Sequence, residues 1–368
     1  PGVTLQGDGT AVSKGGGACY YWAYWIAALV VADGVEISDI TFQRPMGMAI
    51  ACTSMGPAPL QGFGSHGVQI VDAVQAPYAY EDGVIVRAGW WFAGVTGDIV
   101  IRNCVFRTTV APTIPLSPAG FEHAVNMLNA WGGTAQVIVE GSTFAFDYAH
   151  PTSPDDVRDY VVQIGTPAGE ASAGSVVSAR IKGNTIRGGR AISALGNHGP
   201  VEISRNDITA TCAGIAATTP QSHPGLTISH NSIQLDGGLA GIVSEGDADP
   251  TSPWLGPQWA SDMLVANNTI RGHAAYGVRL HDMGLVEADN NVFRGNNLAT
   301  LNAPVTYHFG ATASYNKVTG YSGGCGAIED LGDHNSVTGC GNQGKGKGAA
   351  KAAGVDAASW GQIKSLLK

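Results

Sequence analysis

Residues 245–282 carry the densest set of polar groups in the chain: Glu245, Arg279, His281 and Asp282, with two further acids in the run Glu245-Gly-Asp247-Ala-Asp249. These types suit proton abstraction next to a carboxylate. A cation such as Arg279, or a Ca²⁺ held by Asp247, Asp249 and Glu245, neutralises a substrate carboxylate and acidifies the neighbouring carbon. A base such as His281 then removes that proton. The competing reading is a solvated salt-bridge cluster on a sheet face, which contributes little. Glu245 paired with Glu329 for inverting hydrolysis is a poor fit. That reaction needs carboxyls about 6.5–9.5 Å apart, and an offset of three stacked strands is about 14 Å. Beyond Ca²⁺, no cofactor is implied.

These groups come together only if the chain stacks strands in phase, and a repeated unit says that it does. Val201-Glu-Ile-Ser-Arg-Asn206-Asp-Ile208 and Leu226-Thr-Ile-Ser-His-Asn231-Ser-Ile233 share the pattern apolar, x, apolar, x, x, Asn, x, apolar. The stretches 179–186, 263–270, 286–293 and 311–318 repeat it, with Asn184, Asn268, Asn291 and Asn316. Asn335 closes a degenerate last copy, and Cys104 and Ser142 hold the Asn place in two earlier ones. From Asn184 the steps are 22, 25, 37, 23, 25 and 19 residues. Self-similarity on that scale is the mark of a solenoid. Alternating apolar residues require strands. Asn suits the bend between them, because it tolerates the left-handed region and its amide can bond stacked copies of itself.

A second column recurs as Gly or Ala followed by an apolar residue: Ala191-Ile192, Gly214-Ile215, Gly241-Ile242, Gly277-Val278 and Ala327-Ile328, with Ala124-Val125 and Val161-Val162 as earlier members. The first outward position after the apolar residue gives Ser193, Ala216, Val243, Arg279 and Glu329, and the third gives Glu245 and His281 on adjacent rungs. At about 4.8 Å between rungs, Glu245 and His281 are within reach of each other.

Together the two columns resemble the right-handed parallel β-helix of pectin-lyase-like proteins, in its generic short-repeat bacterial form. The resemblance covers residues 1–340. It implies an all-β, single-stranded solenoid of roughly ten or more coils with loop insertions. Many chemistries and some non-enzymes share that coil, and the motifs of individual activities are not reproduced. Arg180-Ile181-Lys182 precedes Gly196-Asn-His198-Gly199, the reverse of the pectin-hydrolase order, and there is no Asn-Thr-Asp. Phe146-Asp147-Tyr-Ala-His150-Pro151 only approaches the epimerase signature, and Gly64-Ser-His66-Gly67 is expected to be a turn and not a site.

The remaining segments follow from composition. Residues 341–354 are Gly, Lys and Ala and are expected to be a linker. Residues 355–368 place apolar side chains at 355, 360, 363, 366 and 367, the spacing of a short amphipathic helix that caps or tethers the coil. Insertions at 107–121, 147–160 and 245–261 are the expected binding loops. Trp90 and Trp91 follow a strand, where adjacent side chains cannot both face inward; with Trp254 and Trp259 they are the candidate sugar-stacking surfaces. The aromatic stretch 20–25 reads as an end cap, a sugar platform or a subunit interface.

Net charge is −9, and −13 without the last 24 residues, whose five lysines face one acid. A body this acidic is a poor match for a nucleic-acid backbone. No apolar run reaches the length of a membrane span. The six cysteines fit no zinc spacing; Cys325–Cys340 and Cys19–Cys52 are candidate pairs, and Cys104 is expected to be a buried thiol. Pro1 opens on a coil already under way, so preceding residues are expected. The expectation is a secreted, periplasmic or cell-surface protein that acts on or binds an acidic polysaccharide, as a lyase or an epimerase. The alternative is a non-catalytic structural, adhesive or envelope-surface β-helix, with self-association open in either case.

Overall fold

The computed structural model describes residues 3–6, 26–30, 32–43, 48–52, 58–71, 81–87, 95–108, 122–128, 134–146, 161–165, 176–194, 199–219, 225–244, 258–280, 285–322 and 328–338. All its regular elements are strands, and all the pairings between them are parallel. Parallel pairing of near neighbours in sequence requires each strand to return by a full turn. The result is a right-handed parallel β-helix.

Each coil lays down three strand rows. Among the described residues the first wall has eleven strands, from Val35–Ser38 to Ser336–Thr338. The second and third walls belong to one bent sheet; Thr185–Ala194 and Asp207–Ala217 are long enough to run through both. A short extra sheet, Gln258–Trp259 with Leu285–Glu287, closes the late coils.

The apolar alternation seen in the sequence becomes three stacked columns lining the bore. In the first wall, Ile181, Ile203, Ile228, Val265, Phe293, Val318 and Val337 are successive partners. In the second, Phe42, Ile70, Phe106, Phe144, Ile186, Ile208, Ile233 and Ile270 follow one another, with Phe106 stacked on Phe144 at 4.9 Å. In the third, Val162, Ile192, Ile215, Ile242, Val278, Tyr307 and Ile328 do the same. The Gly/Ala-apolar column of the sequence passes directly from Gly277-Val278 to Ala327-Ile328. The coil between them holds Thr306-Tyr307, and Thr306 breaks the Gly/Ala pattern.

The corner between the first and second walls has a fixed grammar. One residue adopts a left-handed conformation, as Arg205, His230 and Asn267 do at φ near +56°. The next residue, the ladder Asn, points into the corner and is at most 1% exposed. The bend therefore belongs to the residue before the Asn, and the Asn itself is the bonding element. From Asn206 to Asn268 the ladder oxygen accepts two donors from the coil before it: Asn184 N and Nδ2 on Asn206 Oδ1, Asn206 on Asn231, and Asn231 on Asn268, all at 2.9–3.0 Å. The second Nδ2 proton goes to a backbone carbonyl, as from Asn231 to Ile203 O at 3.0 Å. Ser142 and Cys104 continue the ladder upward, Ser142 N donating to Asn184 Oδ1 and Cys104 N to Ser142 Oγ.

Past Asn268 the structure corrects the expected single column. The rung after Asn268 is Asn296, not Asn291, with Asn268 N and Nδ2 on Asn296 Oδ1 at 3.0 and 3.1 Å. Asn291, Asn316 and Asn335 form a second ladder at the opposite end of the first-wall strands, headed by Met263 N on Asn291 Oδ1. The same left-handed step precedes each rung there, at Asp262, Asn290, Tyr315 and His334. Asn291 satisfies the unit in full, whereas Asn296 keeps only Phe293 before it and Leu298 after it, with Asn291 at the first apolar place, so pattern alone favoured Asn291 where two corners are spaced by one short strand.

Cys52 is a free, buried thiol, which removes the expected Cys19–Cys52 pair. Burial pushes it up to about 12. Cys104 is buried as expected, its sulfur bonded to Ser65 and two backbone carbonyls. No helix occurs among the described residues, and none long and apolar enough to cross a membrane. The linker at 341–354, the expected helix at 355–368, the aromatic stretch at 20–25 and Cys325–Cys340 lie outside the described residues.

Candidate active site on the third wall

Side chains that alternate with the bore column of the third wall face away from it. Parallel register places them directly over one another from coil to coil. Val243 partners Arg279, Arg279 partners His308, and His308 partners Glu329. A cation, an imidazole and a carboxylate thus occupy three consecutive rungs of one column.

Tyr276, the first residue of the third-wall strand Tyr276–Leu280, ties the row together. The Arg279 guanidinium carbon lies 4.9 Å from the centre of the Tyr276 ring, a cation–π contact. The Tyr276 and His308 rings meet edge-on at 5.3 Å. On its other side Tyr276 packs on a small apolar patch of Ala216, Ala240 and Val243 with Leu239. Burial pushes the Tyr276 phenol above its ordinary range; the neighbouring Arg279 charge works against this, and Glu329 adds to it.

His308 Nδ1 and Glu329 Oε2 are 2.9 Å apart. An ionised carboxylate can only accept, so this contact places the proton on Nδ1 and makes Nε2 the basic nitrogen of the neutral ring. Arg279 is 2% exposed and His308 6%, far less than two polar side chains on a solvated sheet face would be. Arg279 faces away from the bore and is buried, its guanidinium against the Tyr276 ring.

Of the residues the sequence singled out, Arg279 enters this row. Glu329, set aside there as half of a hydrolytic pair, enters it as the partner of His308. His308 and Tyr276 were missed. The signal for His308 was its place one residue after Tyr307, hidden because Thr306 stands where a Gly or Ala was sought. Trp259 is half-buried on the short sheet, where its carbonyl accepts the Thr219 N–H at 2.7 Å. His281, Glu245, Asp282, Asp247, Asp249, Trp90, Trp91 and Trp254 lie outside the described residues. Among the described residues no group of three or more His, Cys, Asp or Glu side chains is placed to hold a metal ion.

A second charged set lies on the first wall. Glu140 bridges Arg102 at 3.2 Å and Arg180 at 2.7 Å. The two arginine side chains are 43% and 39% exposed, so this network brings only a small stabilisation. It also accounts for Arg180-Ile181-Lys182 as outward residues of a repeat strand.

Residues 171–341 match the family model described as right-handed beta helix region, which spans the regular coils and the third-wall row. No curated protein matches the chain.

Proposed function

We propose that this right-handed parallel β-helix acts on an acidic polysaccharide at the third-wall row, abstracting the proton next to a uronate carboxylate. The observation that carries the reading is the succession Arg279, His308, Glu329 on adjacent rungs, with Tyr276 against the first two. Arg279 supplies the charge that neutralises the uronate carboxylate and lowers the barrier to forming the carbanion. Nε2 of neutral His308, enclosed until substrate opens the row, takes the C5 proton, and Glu329 at Nδ1 stabilises the imidazolium that results. In a lyase the electron pair closes a C4=C5 double bond as the C4–O bond breaks, and the Tyr276 phenol protonates the departing oxygen. The phenolate recovers its proton from the imidazolium. In an epimerase a water protonates the same carbanion on its opposite face, and the hydroxide left behind recovers a proton from the imidazolium. A phenol held above its ordinary range keeps its proton at neutral pH, as a donor must.

A second reading is favoured by the burial of Arg279 and His308: the row is an internal brace of a non-catalytic structural or adhesive β-helix. One experiment separates the two. The protein is incubated with a panel of uronate polymers while unsaturated product is followed by ultraviolet absorbance. C5 proton exchange in deuterated water is followed by NMR. Product or exchange that disappears in His308→Ala and Arg279→Ala establishes the catalytic row. A blank panel, or activity untouched by both substitutions, leaves the structural brace.

A further inference from the structure

The first-ladder corner turns its Asn side chains inward and leaves four outer columns: the last outward residue of the first wall, the left-handed corner residue, and the two outward residues of the second wall. Register holds these columns in line over five successive coils, from Lys182 to Arg294 along the first wall and from Arg187 to Arg271 along the second. Each coil puts a basic side chain on this edge: Lys182 and Arg187, then Arg205, His230, Arg271 and Arg294. All are exposed except Lys182, which is half-buried. Four steps of about 4.8 Å make a stripe roughly 19 Å long.

The neighbouring acids do not cancel it. Asp207 is the acid within the stripe. Glu202, beside it on the first wall, accepts Ser204 Oγ at 2.7 Å, and Glu140, in register with Lys182, is bridged by Arg102 and Arg180. Among the described residues Lys182, Arg205, Arg271 and Arg294 form no ion pair. The chain as a whole has 29 acids against 20 lysines and arginines, so this edge inverts the balance of the molecule. The second-ladder corner does not share the inversion. Asp262 holds a left-handed position there, and Asp289 and Asp333 stand just before Asn290 and His334.

We propose that the first-ladder edge binds an acidic polysaccharide laid along the solenoid axis, on walls that the third-wall row does not use. A basic group on every rung suits a polymer with a carboxylate on every unit, because complementary potentials steer and align a charged partner. Between the cations stand Ser204, Ser229, Thr209, Ser232 and Thr269, whose hydroxyls can donate to and accept from sugar hydroxyls. No Phe, Tyr or Trp occupies the stripe, so it lacks the platforms on which the bases of a single-stranded nucleic acid stack. The surface stands without the catalytic reading, since binding here asks nothing of Arg279, His308 or Glu329.

The test is surface plasmon resonance of the full chain over immobilised polygalacturonate, alginate, neutral dextran and single-stranded DNA. Binding to a polyuronate and not to dextran is expected, weakening as salt rises. The triple variant Arg205→Gln, Arg271→Gln, Arg294→Gln is expected to bind roughly ten-fold more weakly at low salt with unchanged melting. The matching triple Arg→Lys variant is expected to bind like the parent. No binding to either polyuronate, or equal binding by the Gln variant, would overturn the proposal. So would DNA binding as tight as that of the polyuronates and equally reduced in the Gln variant. Polyuronate binding lost in the Gln variant while turnover assays stay blank supports the stripe and removes the catalytic reading. Turnover with binding untouched in the Gln variant overturns the stripe and leaves the catalytic reading standing.

Discussion

Asn231 Oδ1 accepts both the backbone N–H and the side-chain Nδ2–H of Asn206, at 3.0 and 2.9 Å, in a corner where each residue is 1% exposed. One oxygen thereby satisfies two donors that no water reaches, and the relation repeats from coil to coil. The ladder is therefore the part of the fold least able to lose a single atom, because a buried donor left unpaired costs about 1–3 kcal/mol.

Asn231→Ala removes an acceptor for two buried donors and the donor to Ile203 O. Its expected cost is about 2–5 kcal/mol, read by denaturant unfolding. Asn335→Ala, at the partly buried end of the second ladder, is expected to cost at most about half as much. Equal costs would show that the interior ladder carries no special weight.

Arg205 holds φ +56° with its side chain exposed. Arg205→Gly relieves a left-handed strain of about 1 kcal/mol and is expected to be neutral or stabilising. Arg205→Val puts a β-branched side chain in the same conformation and is expected to destabilise. Thermal melts of the two variants in the opposite order would sink this account of the corner.

Gly241 is the second residue of the third-wall strand Ala240–Ser244, just past the bend at Gly237 and Gly238. A Cβ there would stand 2.6 Å from Ile270 Cγ2 and 2.9 Å from Gly277 O. Gly241→Ala is expected to cost about 1–3 kcal/mol by overpacking, measured in the same unfolding assay. A neutral result would mean that the two walls can separate at this bend.

Cys52 is buried and its thiol is raised to about 12, so it is expected to resist alkylation at pH 8 until the chain unfolds. Half-buried Cys212, which accepts a hydrogen bond from Arg190 Nε at 3.3 Å, is expected to react first of the two. Peptide mapping after timed labelling checks the order. The linkage has a definite sign. A thiol raised on folding contributes stability below its ordinary value of 9.0, and that contribution is lost as pH climbs toward about 12.

If the third-wall row is catalytic, Glu329→Gln is expected to keep substrate binding, lower turnover roughly ten-fold or more, and move the limb of the pH–rate profile that reports His308. Glu329 acts there as a positioning residue, through the 2.9 Å contact to His308 Nδ1. A profile unchanged in shape, with turnover intact, would remove it from the mechanism.

The alternating apolar residues and recurring Asn were sufficient to determine a parallel coil, its strand faces and the ladder from Cys104 to Asn268, since a strand's two-residue period sorts bore from surface wherever one face is buried. What they could not decide was which corner an Asn occupies. Asn291 fits the unit in full and Asn296 only in part, yet register, with Phe293 beside Val265, assigns Asn296 to the first ladder and Asn291 to the second. The candidate site was decided in the same way. Arg279, His308 and Glu329 are 29 and 21 residues apart along the chain. Nothing local marks them as neighbours, and they meet because the loops between coils differ in length while the rungs they connect stay in register.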